Sequence, residues 1–267
     1  YMKYAVMDIG TNTTRLAVFE AAPGAKPVRL ARRNVITRLG EDVRRTHVIL
    51  RPAMDRTLAA LAAFKSECER LGVDRYAVAG TAALREAVNS EEFARGVALL
   101  GLNLDILSAE EEGRLAFEGV VSGLEETPSS LLVIDVGGGS TEFSAGERGE
   151  WCWTESLPIG AVAAAERFFK HDPPEKGQVD ELRFAVRTAV DAAIGDRDSC
   201  GIATVGVAGT ISTLAMIDLK LGAFDPERVH GHVLSSRAVS ELTDRLIKMD
   251  VAARRAVPGM EPGRADI

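Results

Sequence analysis

A short pattern of residues occurs twice in this chain, in the same order and at nearly the same spacing. The first copy reads YAVMDIGTNTTRL at residues 4–16, and the second reads LVIDVGGGSTEF at residues 132–143. A further pair reads VAGTAAL at residues 78–84 and VAGTISTL at residues 207–214. The offset is 127 residues between the aspartates of the first pair and 129 between the glycines of the second. An internal repeat of this kind predicts two similar structural units.

The residues around each repeat predict its secondary structure. An apolar run, an Asp-x-Gly turn and a second apolar run predict a strand, a tight turn and another strand. The Gly-Thr pair predicts a strand that ends there and is followed by a helix. Apolar residues at helical spacing predict longer helices at residues 52–71, 108–121, 178–194 and 235–249. Pro52 and a capping-box pattern at Ser108 and Glu111 indicate where two of them begin.

The two repeats imply two α/β lobes. The polar, proline-containing stretch at residues 122–130 is the expected break between them. We therefore expect an N-terminal lobe over residues 1–124 and a C-terminal lobe over residues 125–267, with the two Asp-x-Gly turns facing each other across a cleft. The closing residues, PGRADI, lead us to expect that the second lobe continues beyond Ile267 in a longer chain.

Composition excludes several classes of protein. The 267 residues carry a net charge of −7, and only 5% are aromatic, which disfavours a general nucleic-acid binder. We find no apolar run of about 18 residues and no signal peptide, so we expect no membrane segment. The cysteines are odd in number and widely spaced, which predicts reduced thiols in a cytoplasmic protein rather than disulfides or a zinc site.

One segment is locally basic despite the acidic total. Residues 29–51 contain seven arginines against Glu41 and Asp42. They form either a solvated face or a docking strip for a polyanion, and the sequence leaves both interpretations open.

The two Asp-x-Gly turns have the composition of phosphate-binding turns. Glycine and other small residues let backbone N–H groups converge on a phosphate and let the chain adopt positive φ. The candidate phosphate-binding residues in these turns are Gly10, Thr11, Asn12 and Thr13 in the first copy and Gly137, Gly138, Gly139, Ser140 and Thr141 in the second.

Charged residues flank both turns. Asp8 and Asp135 end the first strand of each copy, where carboxylates are suited to hold Mg²⁺. Glu142 follows the second turn as a further metal or water ligand, and its counterpart in the first copy is Arg15, which is suited to grip a phosphate.

Other residues offer less specific signals. Three consecutive acids, Glu110 to Glu112, suit the first turn of a helix, although hydrolysis also needs a carboxylate that activates water. Arg85 is either a phosphate ligand or a surface charge. His230 and His232 do not make a persuasive zinc site, and no G-x-S-x-G elbow supports a serine hydrolase.

These motifs together resemble the exopolyphosphatase and guanosine-pentaphosphate phosphohydrolase (Ppx/GppA) family. The resemblance runs from end to end of the chain. The matching stretches are MDIGTNTTRL (7–16), GTAALREA (80–87), ILSAEEEGRLAFEGV (106–120), LLVIDVGGGSTEF (131–143), LPIGAV (157–162), VAGTISTLA (207–215), VHGHVLS (229–235) and PGRADI (262–267).

The resemblance implies two ribonuclease-H-like lobes of the actin/sugar-kinase/Hsp70 superfamily with an active site between them. It implies Mg²⁺-dependent removal of the terminal phosphate from polyphosphate, guanosine pentaphosphate or both, with Mn²⁺ as an alternative metal. Glu112 matches the family's catalytic glutamate. Acidic active-site positions match Asp8, Asp135 and Glu142, and phosphate-binding positions match Arg15, Arg85 and the turn residues. We add Gly209, the counterpart of Gly80 in the repeat, to the phosphate-binding candidates.

The chain departs from the long members of the family in lacking room for their helical C-terminal extension, so it resembles the short, two-lobe form. Two other functions stay open: an ATP-dependent small-molecule kinase of the same fold, and a sensor that binds guanosine pentaphosphate without turnover. A homodimer is also left open.

Overall fold

The fold is described here from a computed structural model, which describes residues 1–195, 197 and 201–267. The chain divides into two compact units, residues 1–112 and residues 113–267. This division falls inside a helix that begins at Ala109, whereas the sequence-based boundary at residue 124 keeps that helix within the first lobe. The reason for the difference is that Phe117 and the residues after it pack on the strands of the second unit.

The first unit is built on a five-stranded sheet. Its strands are Met2–Ile9 (β1), Thr13–Ala21 (β2), Val28–Ile36 (β3), Arg75–Gly80 (β4) and Leu104–Ile106 (β5). Their order is β3-β2-β1-β4-β5, in which β2 runs antiparallel to β1 and β3, and β4 and β5 run parallel to β1. The helices of this part are Val43–Thr46 (α1), Arg51–Leu71 (α2), Ala82–Glu86 (α3) and Ser90–Leu99 (α4).

The second unit repeats this plan. Its strands are Ser130–Val136 (β6), Thr141–Glu147 (β7), Glu150–Leu157 (β8) and Ala203–Val207 (β9), in the order β8-β7-β6-β9. Antiparallel β6, β7 and β8 correspond to β1, β2 and β3, and parallel β9 corresponds to β4. The two units therefore share one strand plan, as the repeat predicts, and it is the ribonuclease-H-like plan that the family resemblance implies.

The remaining helices follow in chain order. They are Ala109–Gly123 (α5), Ala161–Phe168 (α6), Lys176–Ile194 (α7), Ala208–Asp218 (α8), Pro226–Val229 (α9), Ser236–Leu246 (α10) and Val251–Arg255 (α11), and a 3₁₀ turn covers Pro262–Arg264. The four longer helices expected from periodicity are present as α2, α5, α7 and α10. Among the described residues, no helix combines the length and apolar character that a membrane crossing requires.

One face of each sheet is covered by the second helix after the third strand, which is α2 in the first unit and α7 in the second. In the first unit, Met7 and Ile9 of β1 are fully buried in one cluster with residues of α2, including Phe64. In the second unit, Leu132 packs with Val190 and other residues of α7. Burial alternates along β1, because successive strand side chains point to opposite faces, whereas the middle of β6 is buried on both faces.

The opposite faces of the two sheets differ. Leu131 and Val133 of β6 are each only 1% exposed, because α5 packs over them. Their counterparts in the repeat, Tyr4 and Val6 of β1, are 38% and 41% exposed. The same strand position is therefore core in one copy and surface in the other.

The second Gly-Thr motif does not match its expected structure completely. In the first copy, strand β4 ends at Gly80 and helix α3 follows, as predicted. In the second copy, strand β9 ends at Val207 and α8 begins at Ala208, so Gly209 lies in the first turn of a helix. Ala208 has a positive φ of 69°, a backbone bend that the apolar character of the segment does not reveal.

Candidate active site

The two glycine turns have the same internal hydrogen bond. The N–H of Gly10 donates to the carbonyl oxygen of Thr13 at 3.1 Å, and the N–H of Gly137 donates to that of Ser140 at 3.0 Å. A Cβ at either glycine would lie 3.0 to 3.1 Å from the accepting oxygen, so a side chain would crowd the turn. The expected use of glycine for positive φ is wrong at both positions, since the left-handed glycines lie elsewhere. Close approach of the backbone is the reason for glycine here.

Each turn is anchored through its carbonyl groups by the loop that follows the third strand. In the first unit, the carbonyl of Asn12 accepts from the N–H groups of Thr37 and Arg38, both at 3.0 Å. In the second unit, the carbonyl of Gly138 accepts from Val162 at 2.9 Å and from Ala163 at 3.1 Å, at the start of α6. Both turns are thus held rigidly, which is what a preorganised anion site requires.

A glycine in each anchoring loop makes this contact sterically feasible. A Cβ at Gly40 would lie 2.3 Å from Cγ2 of Thr11. A Cβ at Gly160 would lie 2.5 Å from the carbonyl carbon and oxygen of Gly138. Sequence reasoning missed the role of both glycines. The available signal was an apolar-Gly pair after the third strand of each copy, Leu39-Gly40 and Ile159-Gly160.

The strand register places a charged residue opposite each aspartate. Asp8 faces Arg15 across β1 and β2, and Arg15 Nη1 donates to Asp8 Oδ2 at 2.8 Å. Asp135 faces Glu142 in the corresponding register of β6 and β7. Glu142 is 1% exposed, and the hydroxyl of Ser156 donates to its Oε1 atom at 2.8 Å. The first unit therefore carries an ion pair where the second carries two carboxylates.

Asn12 has an unusual environment for an amide side chain. It is 4% exposed, and both its Oδ1 and its Nδ2 atoms are buried without a hydrogen-bond partner. Buried amide groups in proteins are nearly always hydrogen-bonded, so the orphaned amide keeps Asn12 a candidate ligand residue. Thr141, by comparison, uses its hydroxyl to bond the carbonyl of Ile159 at 2.7 Å.

Glu112 is held by an arginine. Arg85 Nη1 donates to Glu112 Oε2 at 2.7 Å and to the carbonyl of Leu107 at 2.9 Å. Both side chains are about one-fifth exposed, at 21% and 19%. Glu111 has a different role, because it forms the expected capping box with Ser108. Of the consecutive acids at the start of α5, Glu112 is the one whose ion pair with Arg85 fixes its carboxylate.

Gly209 is covered by an arginine. A Cβ at Gly209 would lie only 1.9 Å from Nη2 of Arg264, so the guanidinium rests against the bare backbone of α8. Arg264 also donates from Nε to Glu261 Oε2 at 2.7 Å. The role of Gly209 in phosphate binding stays a prediction, and Arg264 is a neighbouring cation that the sequence analysis did not single out.

The arginine-rich segment is engaged in ion pairs. The ion pairs join Arg33 to Glu67, Arg44 to Glu86, Arg45 to Asp42, and Arg51 to Asp55 and Glu92. Because acids from other elements meet these charges, the structure favours the interpretation of this segment as a solvated, paired surface.

The predicted site residues other than Gly209 thus form three local groups. The first unit holds the turn of residues 10–13 with the Asp8–Arg15 pair, and the Arg85–Glu112 pair. The second unit holds the turn of residues 137–141 with Asp135 and Glu142. Within the described part of the chain, no group of three or more His, Cys, Asp or Glu side chains is arranged to hold a metal ion.

Two units with the same strand plan and matching glycine turns define a duplicated α/β protein, as the family resemblance implies. A model of the Ppx/GppA phosphatase family matches residues 17–267. The chain belongs to this family.

Similar proteins of known sequence agree with this assignment. Exopolyphosphatase 2 of Mycobacterium tuberculosis is 32% identical over 275 residues, which cover 99% of this chain and 86% of that protein. The guanosine-5'-triphosphate,3'-diphosphate pyrophosphatase of Photobacterium profundum is also 32% identical, but the match covers 82% of this chain and 44% of that protein.

Solved structures show the same fold. The Aquifex aeolicus member of the Ppx/GppA family has 30% identity and a TM-score of 0.82, over 100% of this chain and 86% of that one. A crystal structure of an exopolyphosphatase-like protein has 31% identity and a TM-score of 0.92, over 100% of this chain and 84% of that one.

Proposed function

We propose that this chain hydrolyses the terminal phosphoanhydride bond of inorganic polyphosphate or of guanosine pentaphosphate. The observation that supports this most directly is the Arg85–Glu112 pair, which fixes a carboxylate at the start of α5 in a chain with two phosphate-type turns. Membership of a phosphatase family supports the reaction class. The names of the mycobacterial and Photobacterium relatives supply the two substrates.

In this proposal, Glu112 is the general base. It accepts a proton from a water molecule while the water oxygen forms a bond to the terminal phosphorus and the bridging P–O bond breaks. The products are inorganic phosphate and a chain shortened by one phosphate. Arg85 keeps the Glu112 carboxylate in one orientation, which matters because general-base catalysis depends on the position of the accepting atom.

The glycine turns bind the terminal phosphate and the phosphate next to it. Their rigid backbone N–H groups form a preorganised site for phosphate oxygens. The orphaned amide of Asn12 adds a donor in the first turn. These groups orient the terminal phosphate for in-line attack.

The donor set of the second unit fits Mg²⁺. Carboxylate oxygens are the protein ligands that Mg²⁺ prefers, and it commonly takes one or two of them together with substrate phosphates and water. Asp135 and Glu142, which face each other in register, would supply these oxygens. Asp8 is the third predicted ligand, and its Oδ2 atom already accepts from Arg15. When bound, Mg²⁺ would offset the negative charge of the phosphates.

Phosphate release measured in parallel tests this proposal. The substrates are short polyphosphate, long polyphosphate and guanosine pentaphosphate, each with Mg²⁺ and with Mn²⁺. We expect release from at least one of them, and E112Q should lower turnover by a factor of about 10² to 10⁴, the usual range for general-base catalysis. E110Q is the matched control, because Glu110 is an exposed acid of the same helix turn and should retain activity.

Two other outcomes would replace this function. ATP consumption that depends on a small-molecule acceptor, without phosphate release from the three substrates, would indicate a kinase. Tight binding of guanosine pentaphosphate without phosphate release would indicate a sensor. Full activity of E112Q on the true substrate would show that the general base is a different residue.

A further inference from the structure

Gly113, the residue after Glu112, lies close against the sheet of the second unit. A Cβ at this position would lie 2.3 Å from Cγ2 and 2.7 Å from Oγ1 of Thr154, and 2.5 Å from Oγ of Ser144. Contacts below about 3 Å do not occur for real Cβ atoms. The helix backbone can therefore lie at its observed distance from the sheet only because residue 113 has no side chain.

The surface beneath Gly113 is a fixed polar platform. The hydroxyl groups of Ser144 and Thr154 share a hydrogen bond of 2.9 Å, and Trp151 Nε1 donates to Thr154 Oγ1 at 3.0 Å. Because these groups hold one another, the platform cannot move aside easily for an added side chain.

A second glycine contact lies one helical turn further along α5. Phe117 is fully buried, and a Cβ at Gly146 of β7 would lie 2.4 Å from its Cζ atom. Gly113 and Phe117 are four residues apart and so lie on the same face of the helix. The helix is therefore seated on the sheet at two successive points, of which Gly113 is the one next to Glu112.

The seating surface is also the face that carries Glu142. Glu142 and Ser144 are two residues apart on β7, so their side chains lie on the same side of the sheet. Leu131 and Val133 of β6 line this face as well, under the later part of α5. The strand residue that Gly113 packs against, Ser144, is thus two residues from the buried carboxylate of Glu142 on the same face.

We propose that Gly113 is a positioning residue that sets the location of the Glu112 backbone through its close contact with Thr154 and Ser144. This proposal rests on the proposed function, because it assigns a purpose only if Glu112 is the general base. Arg85 holds the carboxylate of Glu112 through a hydrogen bond. Gly113 holds the adjoining peptide, and a shift of about 1 Å in a reacting group can cost about 10²-fold in rate.

The experiment compares G113A with G119A. Gly119 is in the same helix, and a Cβ there would meet no atom within 4 Å, so the same change of residue is sterically neutral. We expect G113A to lower kcat about 10²-fold with KM changed less than about threefold, since the general base moves while the phosphate turns stay in place. G119A should leave both kinetic constants unchanged.

A compensating variant separates positioning from a general structural defect. G113A/T154S removes the closest of the three atoms, Cγ2 of Thr154, and keeps the hydroxyl that accepts from Trp151; relief is partial, because the two hydroxyl oxygens still lie within 3 Å of the added methyl. We expect it to recover kcat by about tenfold relative to G113A, as coupled neighbouring sites should. If the double variant is no more active than folded G113A, or if folded G113A has the kcat of the wild type, the proposal is overturned.

The test stays decisive if G113A does not fold. The folded double variant is then compared with T154S alone, so that the two proteins differ only by the methyl group at residue 113. A lower kcat in the double variant supports the proposal, and equal values overturn it. The proposed function fails separately, through a wild-type protein that releases no phosphate or an E112Q variant with full activity.

Discussion

Arg15 donates to Asp8 at 2.8 Å across the first pair of strands, whereas the same register in the second unit brings Asp135 opposite Glu142. The duplicated lobes therefore have the same strand arrangement but differ in charge at one equivalent position. An ion pair stabilises its own carboxylate, whereas two carboxylates in register attract a cation. This difference directs the expected metal chemistry to the second unit.

We predict that E142Q weakens activation by Mg²⁺. The change removes one of the two facing carboxylates, so the Mg²⁺ concentration for half-maximal activity should rise about tenfold or more, equivalent to about 1.4 kcal/mol. Titration of phosphate release against Mg²⁺ measures this effect, and calorimetry with Mg²⁺ alone measures it independently of turnover.

Glu147 provides the control for that prediction. It lies at the end of the same strand and is exposed, so E147Q should respond to Mg²⁺ as the wild type does. Equal Mg²⁺ dependence in E142Q and E147Q would remove Glu142 from the metal site.

We predict that G40A and G160A disturb the two phosphate turns. Each added methyl would overlap the turn that its loop anchors, with closest distances of 2.3 and 2.5 Å. Overpacking of this kind costs about 1 to 3 kcal/mol of unfolding free energy, and KM should rise because the turn is displaced. Denaturant unfolding and steady-state kinetics report the two effects.

The matched control for the turn glycines is G177A. Gly177 lies in the first turn of α7, where a Cβ would meet nothing within 4 Å. It should be as stable as the wild type or slightly more stable, because alanine favours helix. If G160A bound substrate and unfolded like G177A, the anchoring role of residue 160 would be refuted.

We predict that R85K lowers kcat. Lysine keeps the charge but not the planar guanidinium that bonds both Glu112 and the carbonyl of Leu107, so the carboxylate should lose its fixed orientation. A loss of about tenfold or more is expected, since position strongly affects general-base catalysis.

A neighbouring ion pair serves as the comparison for R85K. Glu86 lies next to Arg85 in helix α3, and it forms an ion pair with Arg44 at 2.7 Å. Neither Glu86 nor Arg44 is a predicted site residue. R44K should therefore leave kcat unchanged. A loss of activity in R44K equal to that in R85K would show that general stability of this region, and not Glu112, determines the effect.

We predict that Cys68 is unreactive toward thiol reagents at pH 8. Burial in the core, followed by the charges of Glu67 and Glu69, raises the pKa of its thiol to about 11 from an ordinary value of 9.0. Cys152 is exposed and should be labelled first. Mass spectrometry of labelled peptides resolves the two sites, and Cys200 lies outside the described residues.

The same shift predicts a loss of stability in alkaline solution. Between about pH 9 and pH 11, the thiol of Cys68 ionises in the unfolded chain but stays protonated in the folded chain. The unfolded state then binds fewer protons, so the free energy of unfolding falls as the pH rises through this window. C68A should show a smaller decline over the same range, and an identical decline would contradict the prediction.

Much of the fold follows from local sequence patterns. Strands β1, β2, β6 and β7, the helices α2, α5, α7 and α10, and the capping box of Ser108 and Glu111 were all predictable. These features depend on residues two to four positions apart, which interact through the periodicity of strands and helices. The repeat then extended this local information to two lobes of one plan.

Contacts between distant residues were not predictable in this way. Sequence separation says little about which acid meets which arginine, so the pairing of Arg85 with Glu112 and the ion pairs of the arginine-rich segment came from the tertiary structure. The start of α8 at Ala208 also depends on a backbone bend that no local pattern indicated.

The sequence by itself determined that this chain has two similar α/β units with paired phosphate-type turns. Only the tertiary structure decided why particular glycines are required, because the effect of a missing side chain depends on which atoms lie opposite it. Gly40, Gly113 and Gly160 each face an atom less than 3 Å from the Cβ they lack. That steric constraint exists only once the strands, loops and helices are packed together.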